Sequence, residues 1–268
     1  MTRLLLLGCG KMGEAMLAGW LEGGTAPADV VAIEPNAAQA AAIAARGVTV
    51  VGSAEAVPGD FAPDVVILAV KPQVMDGAAP TLARYAGRTC YLSIAAGKTL
   101  ANFAGYFGPQ AAVVRAMPNT PAAVGRGITV ACPNAHVDAP MRATCERLLA
   151  AVGEVGWVAD EGLIDAVTGV SGSGPAYVFH MIEAMAAAGV AQGLDPDLAM
   201  RLARATVCGA GELAYRSPES AEQLRRNVTS PNGTTQAALD VLMAEDGLKP
   251  LMARAVAAAT RRSRELAG

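Results

Sequence analysis

The chain has 268 residues, 53% hydrophobic and 17% charged, with a formal net charge of -3. That length suits one large domain or two ordinary ones, with apolar residues enough for a large core. The acidic balance and the 4% of aromatics argue against nucleic acid, which calls for basic faces and stacking rings.

Leu4–Leu7 read as a buried first strand. Four leucines are too few for the h-region of a secretory signal, about 7–15 residues. No later stretch reaches the roughly 18 uninterrupted apolar residues of a membrane span. The strand runs into Gly8-Cys9-Gly10-Lys11-Met12-Gly13, and Met12, Met16, Leu17, Trp20 and Leu21 then recur at helical spacing. Strand, glycine turn, helix is the context a G-x-G-x-x-G dinucleotide fingerprint requires. The first glycine permits the tight turn, the second lets the backbone approach a pyrophosphate, and the third packs helix on strand. The helix N-terminus offers its free N–H groups to the anion. A glycine turn that only packs a helix on a sheet is the plain alternative.

A second strand, Val30–Ile33, ends at Glu34, about 20 residues past the glycines, where an acid binds a ribose 2′-hydroxyl. A carboxylate there repels a 2′-phosphate, and no Lys or Arg lies within residues 35–45. On these residues alone the site leans toward NADH over NADPH. The alternative is a solvated acid at a strand end. An Ala-rich helix to Arg46 and a short strand, Val48–Val51, follow. Val65–Val70 is a continuous apolar run, as in strands buried on both faces of a parallel sheet. It ends in Ala69-Val70-Lys71-Pro72, at the carboxyl edge where open α/β sheets bind ligands. Lys71 reads either as a phosphate or ribose contact or as a surface charge. A helix is expected from there through Leu82. Tyr91–Ile94 and Val113-Val114 are further strands, and Ala95, just past the former, joins the cofactor-side set. Met117-Pro118-Asn119-Thr120-Pro121 is a rigid polar turn suited to a place beside a nicotinamide. Strand Ile128–Ala131, a helix near residues 140–151 and strand Val155–Val158 finish the sheet with antiparallel edge strands.

Beyond Asp160 the strand signals vanish. The expected plan is an α/β, Rossmann-type parallel sheet over residues 1–160 and an all-helical domain over 161–268. Asp195-Pro196 and Ser217-Pro218-Glu219 both read as helix starts. Helices this rich in alanine and other apolar residues point to burial against a second copy. Ser171-Gly172-Ser173-Gly174-Pro175 interrupts an apolar helical pattern with small residues that let a ligand approach. Val228–Thr235 is a hydroxyl-rich turn opening onto a helix whose free amides suit a carboxylate.

Five scattered cysteines without C-x-x-C spacing and two histidines, His136 and His180, give neither a disulfide framework nor a metal site. A reducing cytoplasm fits best. The lysines are Lys11, Lys71, Lys98 and Lys249, so none lies between residues 99 and 248. Ketone reduction wants a positioned acid to protonate the alkoxide. An imine is protonated before hydride arrives, and hydroxyls with backbone amides suffice to hold it. The lysine-poor helical half therefore favours C=N reduction over C=O reduction.

In these residues the chain closely resembles pyrroline-5-carboxylate reductase, the enzyme of the last step of proline biosynthesis. Residues 165–177 and 227–235 carry the most specific likeness, preceded in the same order by Gly8–Gly13, Ala69–Pro72 and Met117–Pro121. The resemblance implies a Rossmann domain and a helical dimerisation domain, with dimers that assemble further in some members. It implies hydride transfer from NAD(P)H to C5 of 1-pyrroline-5-carboxylate, giving L-proline. Cofactor contacts then fall to Gly8, Gly10, Lys11, Met12, Gly13, Glu34, Ala69, Val70, Lys71, Pro72, Ala95 and Asn119. Substrate contacts fall to Ser171, Ser230, Gly233, Thr234 and Thr235, with Thr235 as the catalytic hydrogen bond to the ring nitrogen. Two departures stand out. Asn232 replaces a glycine common in that loop, and Glu34 stands where many members, which favour NADPH, carry small or basic residues. A β-hydroxyacid dehydrogenase shares the general plan but uses a lysine in its helical half, which is absent here. A non-catalytic NAD(P)-binding regulator would not need the hydroxyl-rich loop.

Overall fold

A computed structural model describes residues 2–267. The chain divides into two compact units. One runs to Gly172 and takes in the chain again from Ala259, and the other is Ser173–Ala258.

The first unit is built on eight strands: β1 (Leu4–Leu7), β2 (Val30–Ile33), β3 (Thr49–Val51), β4 (Val65–Leu68), β5 (Cys90–Ser93), β6 (Ala112–Met117), β7 (Gly127–Pro133) and β8 (Gly153–Trp157). They lie in the order β3-β2-β1-β4-β5-β6-β7-β8. All pairs from β3 to β6 are parallel, β7 is antiparallel to β6, and β8 is parallel to β7. The last two strands therefore reverse direction, as their place at the edge led one to expect. The chain starts at β1, winds out to β3, then crosses back to β4. The gap above β1 and β4 is thus a topological switch point, where such sheets bind ligands.

Side chains of β1 alternate between two cores. Leu4 and Leu6 join Met16, Leu17 and Trp20 of α1 (Lys11–Glu22) and Leu148 and Leu149 of α5 (Ala139–Ala150) on one face. Leu5 and Leu7 join Met75 of α3 (Pro72–Ala78) and Phe103 and Phe107 of α4 (Leu100–Phe107) on the other. Each fully buried leucine contributes about 1.5–3 kcal/mol, so β1 anchors both layers. Trp20 Nε1 donates to the Leu148 carbonyl at 2.8 Å, tying α1 to α5. The remaining helix of this layer is α2 (Ala37–Ala44), capped by Asn36. The helix expected after Pro72 is α only to Ala78; residues 79–85 tighten into a 3₁₀ turn.

Among the described residues no strand follows Trp157. The helices are α6 (Leu163–Val167), α7 (Gly174–Ala191), α8 (Pro196–Arg216), α9 (Ala221–Asn227), α10 (Thr234–Leu242) and α11 (Leu248–Ala267). Asp195 caps α8 through the amides of Asp197 and Leu198. Ser217 does not start a helix. Its hydroxyl accepts from Glu219 N–H in a turn, and Ser220, three residues on, caps α9. The small-residue stretch is not a break either. Thr168–Gly172 winds as a π-helical turn, and α7 resumes at Gly174. Thr168 and Ser171 bond back to the carbonyls of Ile164 and Val167, at 2.8 and 3.0 Å.

Within Ser173–Ala258 the buried hydrophobic residues are Ala186, Ala199 and Ala203. Phe179, Met181, Met185, Leu202, Leu213, Val241 and Met243 stay exposed. No described helix is long and apolar enough to cross a membrane.

Candidate active site

The turn after β1 is shaped by sterics. Gly8 has φ +79°, and a Cβ there would lie 2.5 Å from Val70 Cγ1. Only glycine accepts both that backbone and that neighbour. Gly10 is the opposite case. A Cβ there would meet no protein atom within 4 Å, and its φ of -65° suits any residue. It caps α1 with no side-chain hydrogen bond, so the first amides of that helix are left to whatever approaches. Space beside Gly10 and an uncapped helix start are what a pyrophosphate needs. Lys11 and Met12 open α1. At Gly13 a Cβ would press on the Gly8 carbonyl oxygen at 3.1 Å.

This turn forms one wall of a cleft of about 470 Å³. Its border comes from the carboxyl ends of four strands: Gly8–Gly10 after β1, Glu34 and Pro35 after β2, Gly52–Glu55 after β3, and Ala69–Lys71 after β4. Pro72 occupies the first position of α3 behind Lys71. Both oxygens of Glu34 are engaged: Oε2 accepts from Cys9 N–H at 3.0 Å, Oε1 from Asn36 N–H at 2.9 Å. Gln39, held at its own amide by Asn36, donates its side chain to the Cys9 carbonyl. The carboxylate is thus fixed between the glycine turn and the cap of α2. The Cys9 thiol is pushed up to about 12, by burial first and by Glu14 and Glu34 next, and stays neutral.

Ala95 and Asn119 do not border this cleft. Ala95 is buried, its N–H 3.3 Å from Ser93 Oγ. Asn119 Oδ1 accepts from Ile128 N–H at 2.9 Å and so pins the start of β7. Two motifs distant in sequence do meet. A Cβ on Gly172 would lie 2.6 Å from Met117 Cε, so the π-turn carrying Ser171 packs on the end of β6. Beside them Glu161 Oε1 accepts from Arg115 Nη1 at 2.6 Å and from Leu100 N–H at 2.8 Å. Lys98 is bound to Asp76 at 2.6 Å, with the Tyr106 hydroxyl on the same oxygen. Sequence reasoning missed Gln39, Ser53 and Glu55. The strand-end rule, applied to β3 as it was to β2 and β4, points to the last two.

The second unit holds the hydroxyl-rich loop. Ser230-Pro231-Asn232-Gly233 is a turn closed by Gly233 N–H on the Ser230 carbonyl at 3.1 Å. Proline sits at its second position, and Asn232 at its third has φ +58°. Type II turns need a positive φ there, and asparagine tolerates it. Asn232 therefore supplies the geometry a glycine would. Thr229 Oγ1 bonds the Arg225 carbonyl at 2.7 Å. Gly233 caps α10 with no side-chain bond, and a Cβ on it would reach Ser230 Oγ at 2.4 Å. The start of α10, at Thr234 and Thr235, is thus an uncapped amide cluster among hydroxyls. No group of His, Cys, Asp or Glu among the described residues could hold a metal.

A glycine turn, an uncapped helix and a fixed carboxylate at the switch point of a parallel sheet define a dinucleotide-binding protein of the Rossmann type. Family models agree and narrow it. Residues 3–97 match "NADP oxidoreductase coenzyme F420-dependent" and residues 161–266 match "Pyrroline-5-carboxylate reductase dimerisation". A pyrroline-5-carboxylate reductase of Pseudomonas aeruginosa is 42% identical, over 99% of this chain and 97% of that protein. The structure of one from Coxiella burnetii superposes with a TM-score of 0.93 at 33% identity, covering 100% and 99% of the two chains. One from Plasmodium falciparum, solved with NADP bound, gives 0.82 at 27%, covering 100% and 98%. The chain belongs to the pyrroline-5-carboxylate reductase family.

Proposed function

We propose that this chain reduces 1-pyrroline-5-carboxylate to L-proline with NAD(P)H, as a homo-oligomer. The observation that carries the reading is the full-length identity of 42% to a reductase of that name. The chain's own residues supply the chemistry it needs. The Gly8–Gly13 turn binds the pyrophosphate, with Lys11 and Met12 at the helix start. Glu34 takes the adenosine ribose, Ala69–Pro72 line the cleft, and Ala95 and Asn119 serve the nicotinamide side. The nicotinamide, when bound, supplies the hydride.

The cyclic imine enters as its protonated iminium. Ser230, Gly233 and the Thr234 amide hold its carboxylate at the start of α10, where the helix dipole favours an anion. Thr235 Oγ1 hydrogen-bonds the ring nitrogen and so presents C5 to the hydride. Ser171 lines the substrate's side. With hydride supplied to C5 the C=N π pair would move onto nitrogen, so Thr235 would need only to hold the ring nitrogen and Ser230, Gly233 and Thr234 the carboxylate. No lysine is required, which fits its absence from residues 99–248.

Residues 161–268 form the dimerisation and substrate domain in this reading, and dimers assemble further. A unit whose buried apolar residues are three alanines has its apolar surface left for a second copy. Five unpaired cysteines fit the reducing cytoplasm. The test is NAD(P)H oxidation followed with pyrroline-5-carboxylate. Thr235→Ala should lower kcat by about 10–100-fold, the worth of a hydrogen bond to a charged group, with nucleotide affinity kept. Unchanged turnover removes Thr235 from the mechanism.

A further inference from the structure

Two carboxylates border the cleft. Glu34 follows β2 and Glu55 follows β3. Glu34 does not swing free: backbone amides of Cys9 and Asn36 hold its two oxygens, at 3.0 and 2.9 Å. Each oxygen keeps a lone pair for a ribose hydroxyl. A phosphate ester offers no such proton and brings its own negative charge.

Among the residues bordering the cleft, one is a cation. It is Lys71, which follows β4. In the order β3-β2-β1-β4, β3 is one strand from β2 and β4 is two. Arg46 is paired with Glu14 at 3.1 Å. Arg84 donates to the Ala54 carbonyl and to the Tyr85 hydroxyl, both at 2.8 Å, and the Glu55 carboxyl is held below its ordinary range by the Ser53 hydroxyl first and its own backbone amide next, with the Arg84 charge the smallest contribution.

We infer that Glu34 and Glu55 together select the unphosphorylated dinucleotide, so that the reductant of this chain is NADH. Glu34 accepts the ribose hydroxyl and repels a phosphate; Glu55 adds repulsion from the next strand. The inference rests on the dinucleotide reading of the cleft but not on the identity of the imine.

The experiment titrates NADH and NADPH against the full-length protein by fluorescence, without imine. The wild type should bind NADH at least about fivefold tighter, the size of one unit-charge repulsion at about 4 Å in a water-like medium. Glu34→Ser should weaken NADH and tighten NADPH, removing the preference. Glu55→Gln should tighten NADPH about threefold and leave NADH alone. Rising salt should shrink the wild-type preference. NADPH binding as tight as NADH in the wild type overturns the inference. So does an equal loss of both nucleotides in Glu34→Ser, which would make the carboxylate a scaffold only. Glu55 is solvent-exposed, so its variant folds and keeps the test alive if Glu34→Ser does not. Binding of neither nucleotide overturns the cofactor reading itself, whereas clear NADH choice without imine reduction strikes the proposed reaction alone.

Discussion

Two glycines two residues apart should fail in opposite ways when changed to alanine. In Gly8→Ala the new methyl meets Val70 Cγ1 at 2.5 Å and the Val70 backbone nitrogen at 3.2 Å, on a residue with φ +79°. The left-handed backbone costs about 1–2 kcal/mol and the overlap about 1–3 kcal/mol. Together they destabilise the first unit by roughly 2–5 kcal/mol. Gly10→Ala meets nothing within 4 Å and keeps an extended backbone. It should leave stability unchanged or raise it by about 0.4–1 kcal/mol through the unfolded chain. Its methyl instead stands in the space the pyrophosphate needs, and a tenfold loss of affinity corresponds to about 1.4 kcal/mol. Urea unfolding reads the first quantity and NADH fluorescence titration the second. A Gly10→Ala protein that unfolds early yet binds cofactor normally would refute the assignment of the two glycines.

In the substrate loop, Asn232→Gly should retain activity because both residues accept φ +58°, whereas Asn232→Val should raise KM for the imine; equal kinetics for all three would remove the turn from recognition. Gly233→Ala sets a methyl 2.4 Å from Ser230 Oγ and should likewise raise KM, with nucleotide affinity as the control. Glu161→Ala leaves the nearly buried Arg115 guanidinium unpaired and should destabilise by about 3–5 kcal/mol; a loss under about 1 kcal/mol in urea unfolding would mean solvent replaces the carboxylate. Cys9 titrates near 9.0 when free and is pushed up to about 12 in the fold, so between those values the unfolded chain alone gives up its proton. Stability should fall as pH rises through that window, and Cys9→Ser should flatten the decline.

The inner strands of the sheet were legible because they carry one signal. Leu4–Leu7 and Val65–Leu68 are buried on both faces, and such runs admit little other reading. The edge strands and the cap at Asp195 were legible for similar local reasons. Ser217 misled because Ser-Pro-Glu satisfies the grammar of a helix start, and so does Ser220 three residues later. Only the hydrogen bonds decide, and Ser217 uses its hydroxyl on a turn. The π-turn at Thr168–Gly172 had no sequence signature. Small hydroxyl residues that usually break helices bond back to carbonyls four residues earlier, which lets the winding continue. Glu55 escaped notice because β3 is short and only partly buried, so its end drew no attention as a binding edge.

The nucleotide cleft and the hydroxyl-rich loop differ in what holds them. Glu34 and the glycine turn are fixed inside a unit with cores on both faces of its sheet. The Ser230–Thr235 loop belongs to Ser173–Ala258, where the buried apolar residues are three alanines. Ordering a segment of this length has a conformational-entropy cost that three buried alanines do not by themselves offset. The exposed phenylalanine, methionines and leucines of α7 and α8 are the surface that can, once a second copy covers them. Nucleotide binding therefore draws on the stability of one chain, and the geometry of the carboxylate loop on association. The charge proposed to select the nucleotide and the turn proposed to hold the imine answer to separate perturbations, which is why the glycine and loop variants are read by separate assays.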